Sequence, residues 1–234
     1  MENKKTVVGI VVVTILIIVL IIISYLSNSF NTKQVKLLTE ESNKLLKSNW
    51  TEDSIDFHIK TEKNYAVVEK AMKEYISSLK NIYVEMQEMT SGIMPNSIFT
   101  AQNVPNKNLN GIDDIIDEYK EKSQKCIAEI EKLVLEEQIL ENINKRSFSL
   151  RTNYYINLYN TIMLSEAMNR QYNKIEEEIK NEKGTLYEKL NKIEKIKEFL
   201  EKYKDYWEIK GDKIQFTDSN KTTEYYNLCN QISD

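Results

Sequence analysis

A long uncharged stretch near the N-terminus is the feature that most limits how this chain can fold. No Asp, Glu, Lys or Arg occurs from Thr6 to Thr32, and Val7 to Ile23 is almost entirely Val, Ile and Leu. As a helix, Thr6–Leu26 would be about 31 Å long, which matches a hydrocarbon core of about 30 Å. The sequence therefore predicts a single transmembrane anchor at 6–26, preceded by a short tail at 1–5.

A cleaved signal peptide is the alternative interpretation of this stretch. The apolar region of a signal peptide is normally about 7–15 residues long and ends at a pair of small residues. The apolar run here is longer, and Ser27-Asn28-Ser29 is a poor cleavage site. We therefore expect an uncleaved signal-anchor.

The charges beside the anchor predict its orientation. Lys4 and Lys5 lie directly before it, whereas the first lysine after it is Lys33. Because basic residues close to a membrane span tend to stay in the cytoplasm, we expect residues 1–5 inside the cell and the rest of the chain outside the cytoplasm. The inverted topology, with a cytoplasmic membrane-tethered domain, is the alternative.

The remainder of the chain predicts an all-α fold. Gly (5) and Pro (2) are scarce, which favours long helices over many short strands. Apolar residues recur at steps of three and four, the spacing of one helix face. A juxtamembrane helix is predicted within 27–50, and an antiparallel bundle of about four long helices within 51–207, because short connections make neighbouring helices antiparallel. The first of these helices has its apolar face at 65–92 and an acidic, cap-like start at Thr51–Ser54. The other three are predicted at 112–144, 149–181 and 186–207, with Gly184 as a break.

The last part of the chain, 208–234, has a different pattern. Residues from Glu208 to Phe216 alternate between polar and apolar around Gly211-Asp212, which is typical of a small β-hairpin. An isolated hairpin is marginal in water, so we expect it to pack on the bundle. A short helix at 221–232 is predicted to complete the fold.

One connection, the long loop at 90–111, is the strongest candidate for a functional segment. It contains both prolines and is about 20 residues long, which is unusual in a compact domain and often functional. Either it lies back on the bundle, or it presents an exposed apolar surface to a partner or the bilayer. Its large apolar residues are Ile93, Met94, Ile98, Phe99, Val104 and Leu109.

A group of tyrosines is the second candidate. Tyr154, Tyr155 and Tyr159 lie near Arg151 and could form a patch on which a ligand stacks. Tyrosine at this spacing is more often a core residue with its hydroxyl at the rim. The candidate interaction residues are Ile93, Met94, Ile98, Phe99, Tyr154 and Tyr159.

Signals for catalysis or for a cofactor are weak. His58 is the single histidine and has no motif around it, so we expect a surface or capping role. Carboxylates such as Asp113-Asp114 and Glu176–Glu178 are expected to face water, and five scattered glycines cannot form a phosphate loop. The net charge of −4 argues against nucleic acid as a partner. We predict no catalytic residues, no metal and no cofactor, and expect Cys126 and Cys229 to be free thiols rather than one bridge.

Together these patterns predict a non-enzymatic interaction or scaffold module of a bacterial cell envelope, with one span in the membrane. Its expected partners are another copy of itself or another membrane protein. A ligand-binding domain with a pocket between helices near Tyr154 and Tyr159 is the alternative.

Overall fold

The computed structural model describes residues 27–51, 55–134, 152–211 and 213–233. The predicted tail and anchor lie outside these residues, as does the predicted helix at 112–144 beyond Val134. Within the described ranges, no helix has both the length and the hydropathy needed to cross a membrane.

The described chain is mostly helical, with a two-stranded antiparallel hairpin near its C-terminus, as predicted. Residues 27–47 form α1. The other helices are α2 (Lys63–Gly92), α3 (Pro95–Ile98), α4 (Asn110–Val134), α5 (Thr152–Met163), α6 (Glu166–Lys202) and α7 (Ser219–Ser233). The strands are β1 (Trp207–Lys210) and β2 (Lys213–Phe216), and short 3-10 turns occur at Pro105–Lys107 and Lys204–Tyr206.

Helix α2 is the centre of the fold, because it packs against α4, α5 and α6. The steps of three and four in its sequence place one apolar face toward these neighbours. This face is buried as predicted, by Tyr65, Val68, Met72, Leu79, Ile82, Met86 and Met89.

The chain reverses its direction twice between α2 and α6. Gly92, at the end of α2, lies beside the Tyr119 hydroxyl near the start of α4, while Ile82 and Leu133 line one groove further along both helices. α4 is therefore antiparallel to α2. The chain then returns, so α5 and α6 are parallel to α2.

Two contacts establish this return. Near the start of α2, the Tyr65 ring lies 6.4 Å from that of Tyr154 in α5. Near its end, the Thr90 hydroxyl donates to the Glu182 carbonyl of α6 over 3.2 Å.

The connection between α1 and α2 departs from the antiparallel arrangement. Residues 55–60 have no helical structure, and α2 begins only at Lys63 rather than near 51–54. The amide of Glu62 donates to the Gln34 side chain over 2.8 Å, so this segment has returned to the N-terminal half of α1. Because of this return, α1 and α2 lie side by side and run parallel.

The predicted helix break at Gly184 is wrong, and the break occurs at Ser165 instead. α6 runs for 37 residues through Gly184 because Ile179 and Leu186, on either side, are both buried on one face. Ser165 caps this helix, since its hydroxyl accepts from the Met168 amide over 3.3 Å. Ser165, which lies inside the predicted helix at 149–181, therefore separates α5 from α6.

Substitution of two glycines by alanine should have opposite effects. At both Gly184 and Gly211, a Cβ would meet nothing within 4 Å, so crowding does not contribute. Gly184→Ala should raise the free energy of unfolding by about 0.5–1 kcal/mol, because alanine is the better helix former. Gly211→Ala should lower it by about 1–2 kcal/mol, because Gly211 has φ +61°. Urea denaturation measures both free energies of unfolding. Effects of the same sign would contradict the placement of Gly184 inside a continuous helix and of Gly211 at a positive φ.

The C-terminal hairpin forms as predicted, with Trp207 paired to Phe216 and Ile209 to Ile214. The predicted helix ending at Trp207 is too long, since α6 ends at Lys202 and Trp207 begins β1. The Trp207 indole is buried and donates to the Leu200 carbonyl over 2.7 Å, which fastens the hairpin to the end of α6. Helix α7 then packs on α6 and β2.

Candidate functional site

A buried group of charged side chains lies where α1, α2 and the segment returning between them meet. We call it the ion cluster: Glu41 of α1 with Glu69 and Lys73 of α2. The Lys73 ammonium donates to Glu41 over 3.0 Å, to Glu69 over 2.7 Å and to the His58 carbonyl over 2.7 Å. Its side chain is 2% exposed, and those of Glu41 and Glu69 are 4% and 0% exposed. One ammonium group thus joins α1, α2 and the non-helical segment between them.

The carboxylate of Glu69 also accepts several further hydrogen bonds. It accepts from the Lys60 amide, and from both the amide and the hydroxyl of Thr61 over 2.8 Å each. The opposite end of the cluster reaches the surface, where Lys44 donates to Glu41 over 2.5 Å. An ammonium has three protons to donate, and all three from Lys73 are used. This saturation favours a structural role for the ion cluster over a chemical one.

Both carboxyl groups are held in their charged form. Burial alone would raise the pKa of Glu41, but hydrogen bonds from Lys44 and Lys73 outweigh it and the net effect is a lowered pKa. Burial likewise opposes ionisation of Glu69, and hydrogen bonds from Lys73 and Thr61 again lower its pKa overall. Both carboxylates are therefore charged at neutral pH.

The lowered pKa values predict acid sensitivity. A carboxyl whose pKa is lower in the folded protein stabilises the fold above its unfolded pKa, which is about 4.3 for glutamate, and loses this contribution as the pH falls through the folded value. We therefore expect Glu41→Gln to be less stable than the unsubstituted chain at pH 7, with a difference that shrinks below about pH 4.3.

The measurement is urea denaturation at a series of pH values. Glu118→Gln is the matched control, because the Glu118 side chain is 62% exposed in an i,i+4 pair with Lys122. A stability difference between Glu41→Gln and the unsubstituted chain that stays constant down to acid pH would contradict the role of Glu41.

We did not predict the ion cluster from the sequence, where carboxylates were expected to face water. Glu69 and Lys73 have the i,i+4 spacing of an ordinary surface pair, and the same spacing occurs at the exposed pair of Glu118 and Lys122. The available signal was their position beside the buried residues Val68 and Met72. His58, expected at the surface or at a cap, is exposed and contributes its backbone carbonyl.

The tyrosine candidates separate into two environments. Tyr159 is buried and lines a cavity of about 40 Å³ with Trp50, Tyr75 and Tyr172. A cavity of this size holds one or two water molecules and is far below the roughly 300–1,000 Å³ of a ligand pocket. Burial raises the pKa of Tyr75 and Tyr159, and raises that of Tyr172 to about 12, so these hydroxyls stay protonated.

Tyr154 lies away from that cavity, at the start of α5. Its side chain is 44% exposed, and its ring makes edge contacts with Tyr65 and Tyr155. The structure therefore does not bring Tyr154 and Tyr159 together around one pocket.

The long loop lies back on the bundle. It contains α3 and a 3-10 turn, and one of its large apolar residues, Met94, is exposed, at 40%. The buried ones are Ile93, Ile98, Phe99, Val104 and Leu109. Of the candidate interaction residues, only Met94 and Tyr154 are thus placed at the surface.

Neither cysteine forms a bridge in the described part of the chain, as expected. Cys126 is buried in α4, and burial, with the Glu85 carboxylate nearby, raises the pKa of its thiol to about 11. A thiol that remains protonated is a poor nucleophile. Nor do the described residues contain a group of three or more His, Cys, Asp or Glu side chains that could hold a metal ion.

Comparison with known proteins gives no match: no family model, no curated protein and no solved structure is significantly similar to this chain.

Proposed function

We propose that this chain is a single-pass membrane protein of a bacterial cell envelope, whose helical domain acts without catalysis as an interaction or scaffold module outside the cytoplasm. The membrane assignment rests on the apolar stretch at 6–26 and the orientation on Lys4 and Lys5 beside it. The proposed partners are another copy of the chain or another membrane protein.

The observation that carries this proposal is the way in which the domain begins. The first described residues, from residue 27, are helical and directly follow the proposed anchor in the sequence. α1 then enters the core, with Gln34 1%, Leu38 0% and Leu45 3% exposed. A domain whose first helix is part of its core would be placed close to the bilayer in a defined orientation, as suits a scaffold.

Among the residues that the structure describes, the space between helices beside Tyr159 is too small for a ligand, which supports scaffolding over ligand binding. The cavity beside Tyr159 measures about 40 Å³, and the larger hollows of about 360 and 460 Å³ are open grooves between α2 and α4, lined in part by charged residues such as Glu129 and Lys122. A small-molecule site is normally a mostly apolar pocket that encloses its ligand.

Protease treatment of intact cells stripped of their wall tests the orientation. The proposal expects rapid digestion of the domain, whose surface carries many exposed lysines such as Lys70 and Lys122. Protection until the cells are lysed would contradict it and would favour the inverted topology, in which the domain is a cytoplasmic tethered scaffold.

Gentle detergent extraction followed by measurement of the particle mass tests the scaffold role. The proposal expects an assembly that is larger than one chain, with its components in whole-number ratios. Met94→Lys should weaken the assembly, because Met94 is the exposed apolar residue of the long loop, and Leu164→Lys, at a residue of 49% exposure, is the matched control. Recovery of a lone monomer would contradict the proposal.

A further inference from the structure

One end of the domain gathers aromatic and basic side chains beside the start of α1. We call it the aromatic-basic end: Phe30, Lys63, Tyr65 and Tyr154. The Lys63 ammonium lies 4.7 Å from the centre of the Phe30 ring, and the Tyr65 and Tyr154 hydroxyls are 3.4 Å apart. Lys63, Tyr65 and Tyr154 lie in the first turns of α2 and α5, and Phe30 lies in the first described turn of α1, so three helices converge on this end.

The chemistry of this end suits the boundary between lipid and water. Tyrosine has an apolar ring and a polar tip, and lysine has an apolar stem and a charged head, which is why both are found at membrane interfaces. Tyr154 is 44% exposed, and Lys33 and Lys63 are also exposed. Lys33 and Lys63 are accompanied at this end by one exposed carboxylate, that of Glu62.

The position of this end in the chain matches its chemistry. Phe30 follows Leu26, the last residue of the proposed anchor, by four residues. Four residues span about 6 Å as a helix and at most about 14 Å when extended. The headgroup layer on each side of a bilayer is about 5–7 Å thick. Phe30 and the Lys63 ammonium above it are therefore within reach of the headgroups.

We propose that the aromatic-basic end rests on the phosphate headgroups of the bilayer, with Lys33 and Lys63 facing phosphate and Tyr154 at the outer edge of the headgroup layer. This inference rests on the proposed membrane anchor. It adds that the domain docks on the lipid surface rather than hanging freely from its tether.

The test places tryptophan at three depths in the full chain, which is assembled in nanodiscs of equal parts phosphatidylcholine and phosphatidylglycerol with a nitroxide on a fraction of the headgroups. The variants are Phe30→Trp, Tyr154→Trp and Tyr206→Trp. Tyr206 is the matched control because it is 48% exposed and follows α6, at the opposite end of the domain. Trp50 and Trp207 are each 1% exposed and give the same background in every variant.

The proposal expects strong loss of emission for Phe30→Trp, partial loss for Tyr154→Trp and none beyond background for Tyr206→Trp. Adding Lys63→Glu to Tyr154→Trp should restore emission when phosphatidylglycerol is present, whereas adding Lys70→Glu, at a lysine of 56% exposure further along α2, should not.

Three results would overturn the docking. Unquenched emission of Tyr154→Trp, equal to that of Tyr206→Trp, would show a tether without contact, and quenching that Lys63→Glu leaves unchanged would show that Lys63 does not hold the domain on the headgroups. Equal, strong quenching of Tyr154→Trp and Tyr206→Trp would show a domain lying flat. A chain that does not assemble with the nanodiscs at all would contradict the membrane anchor. This outcome distinguishes failure of the proposed function from failure of the docking.

Discussion

Replacement of Lys73 by methionine is expected to lower the free energy of unfolding by about 3–5 kcal/mol, because it leaves two buried carboxylates without their shared cation. Lys73 is 2% exposed and donates to Glu41, to Glu69 and to the His58 carbonyl. Methionine has nearly the same length and shape as lysine. The loss of stability therefore measures the removal of the charge rather than the creation of a cavity. Urea denaturation followed by circular dichroism measures it.

A second substitution makes this prediction specific. Glu41→Met combined with Lys73→Met removes the charge of both partners, while Glu69 keeps its hydrogen bonds from the Lys60 and Thr61 backbone amides. The double variant should therefore be more stable than Lys73→Met alone, a coupling that independent sites do not show. Lys122→Met is the control, since an exposed i,i+4 pair contributes only about 0.3–0.5 kcal/mol. Additive losses at Glu41 and Lys73 would contradict the buried network.

Replacement of Trp207 by alanine is expected to cost about 3–5 kcal/mol, the range for truncation of a large buried aromatic side chain. Trp207 is 1% exposed, and its indole joins β1 to the Leu200 carbonyl near the end of α6. Its loss should release the hairpin, because a two-stranded hairpin has little stability of its own. Thermal unfolding measures the total effect, and hydrogen exchange at β1 and β2 locates it.

The neighbouring residue provides the control for this prediction. Tyr206 is 48% exposed, so Tyr206→Ala should change stability much less than Trp207→Ala. Trp207→Phe keeps most of the apolar contact and loses the hydrogen bond, so its expected cost is about 1–2 kcal/mol. Equal effects of Trp207→Ala and Tyr206→Ala would show that the hairpin does not depend on the indole.

Features that depend on neighbouring residues in the chain could be predicted from the sequence. The buried face of α2 follows from its apolar spacing, and the hairpin follows from alternation around Gly211, whose φ of +61° suits glycine. Gly184 misled the prediction, because a glycine inside a helix costs only about 1 kcal/mol and the apolar face continues past it. At Ser165 the sequence predicted a continuous helix, whereas the structure has a break, because a serine in a helical pattern can also cap a new helix.

The ion cluster could not be predicted, because it depends on residues that are distant in the chain. Glu41 and Lys73 meet only after the segment at 55–62 has returned along α1, and no local pattern indicates that return. The candidate interaction residues show the same limit. Their apolar character was evident from the sequence, but the burial of Phe99 and the exposure of Met94 depend on how the loop folds over the bundle.

The parallel arrangement of α1 and α2 has a mechanical consequence. α1 is joined to the rest of the domain at successive levels along its length, by Gln34 to the Glu62 amide, by Glu41 to Lys73, and by the Leu46 carbonyl to Gln171. A force that enters at residue 27 and is directed along α1 would act parallel to this interface and load all of these contacts together in shear. A sideways pull would instead peel them apart one after another. The domain is therefore arranged to resist tension along its first helix better than tension across it.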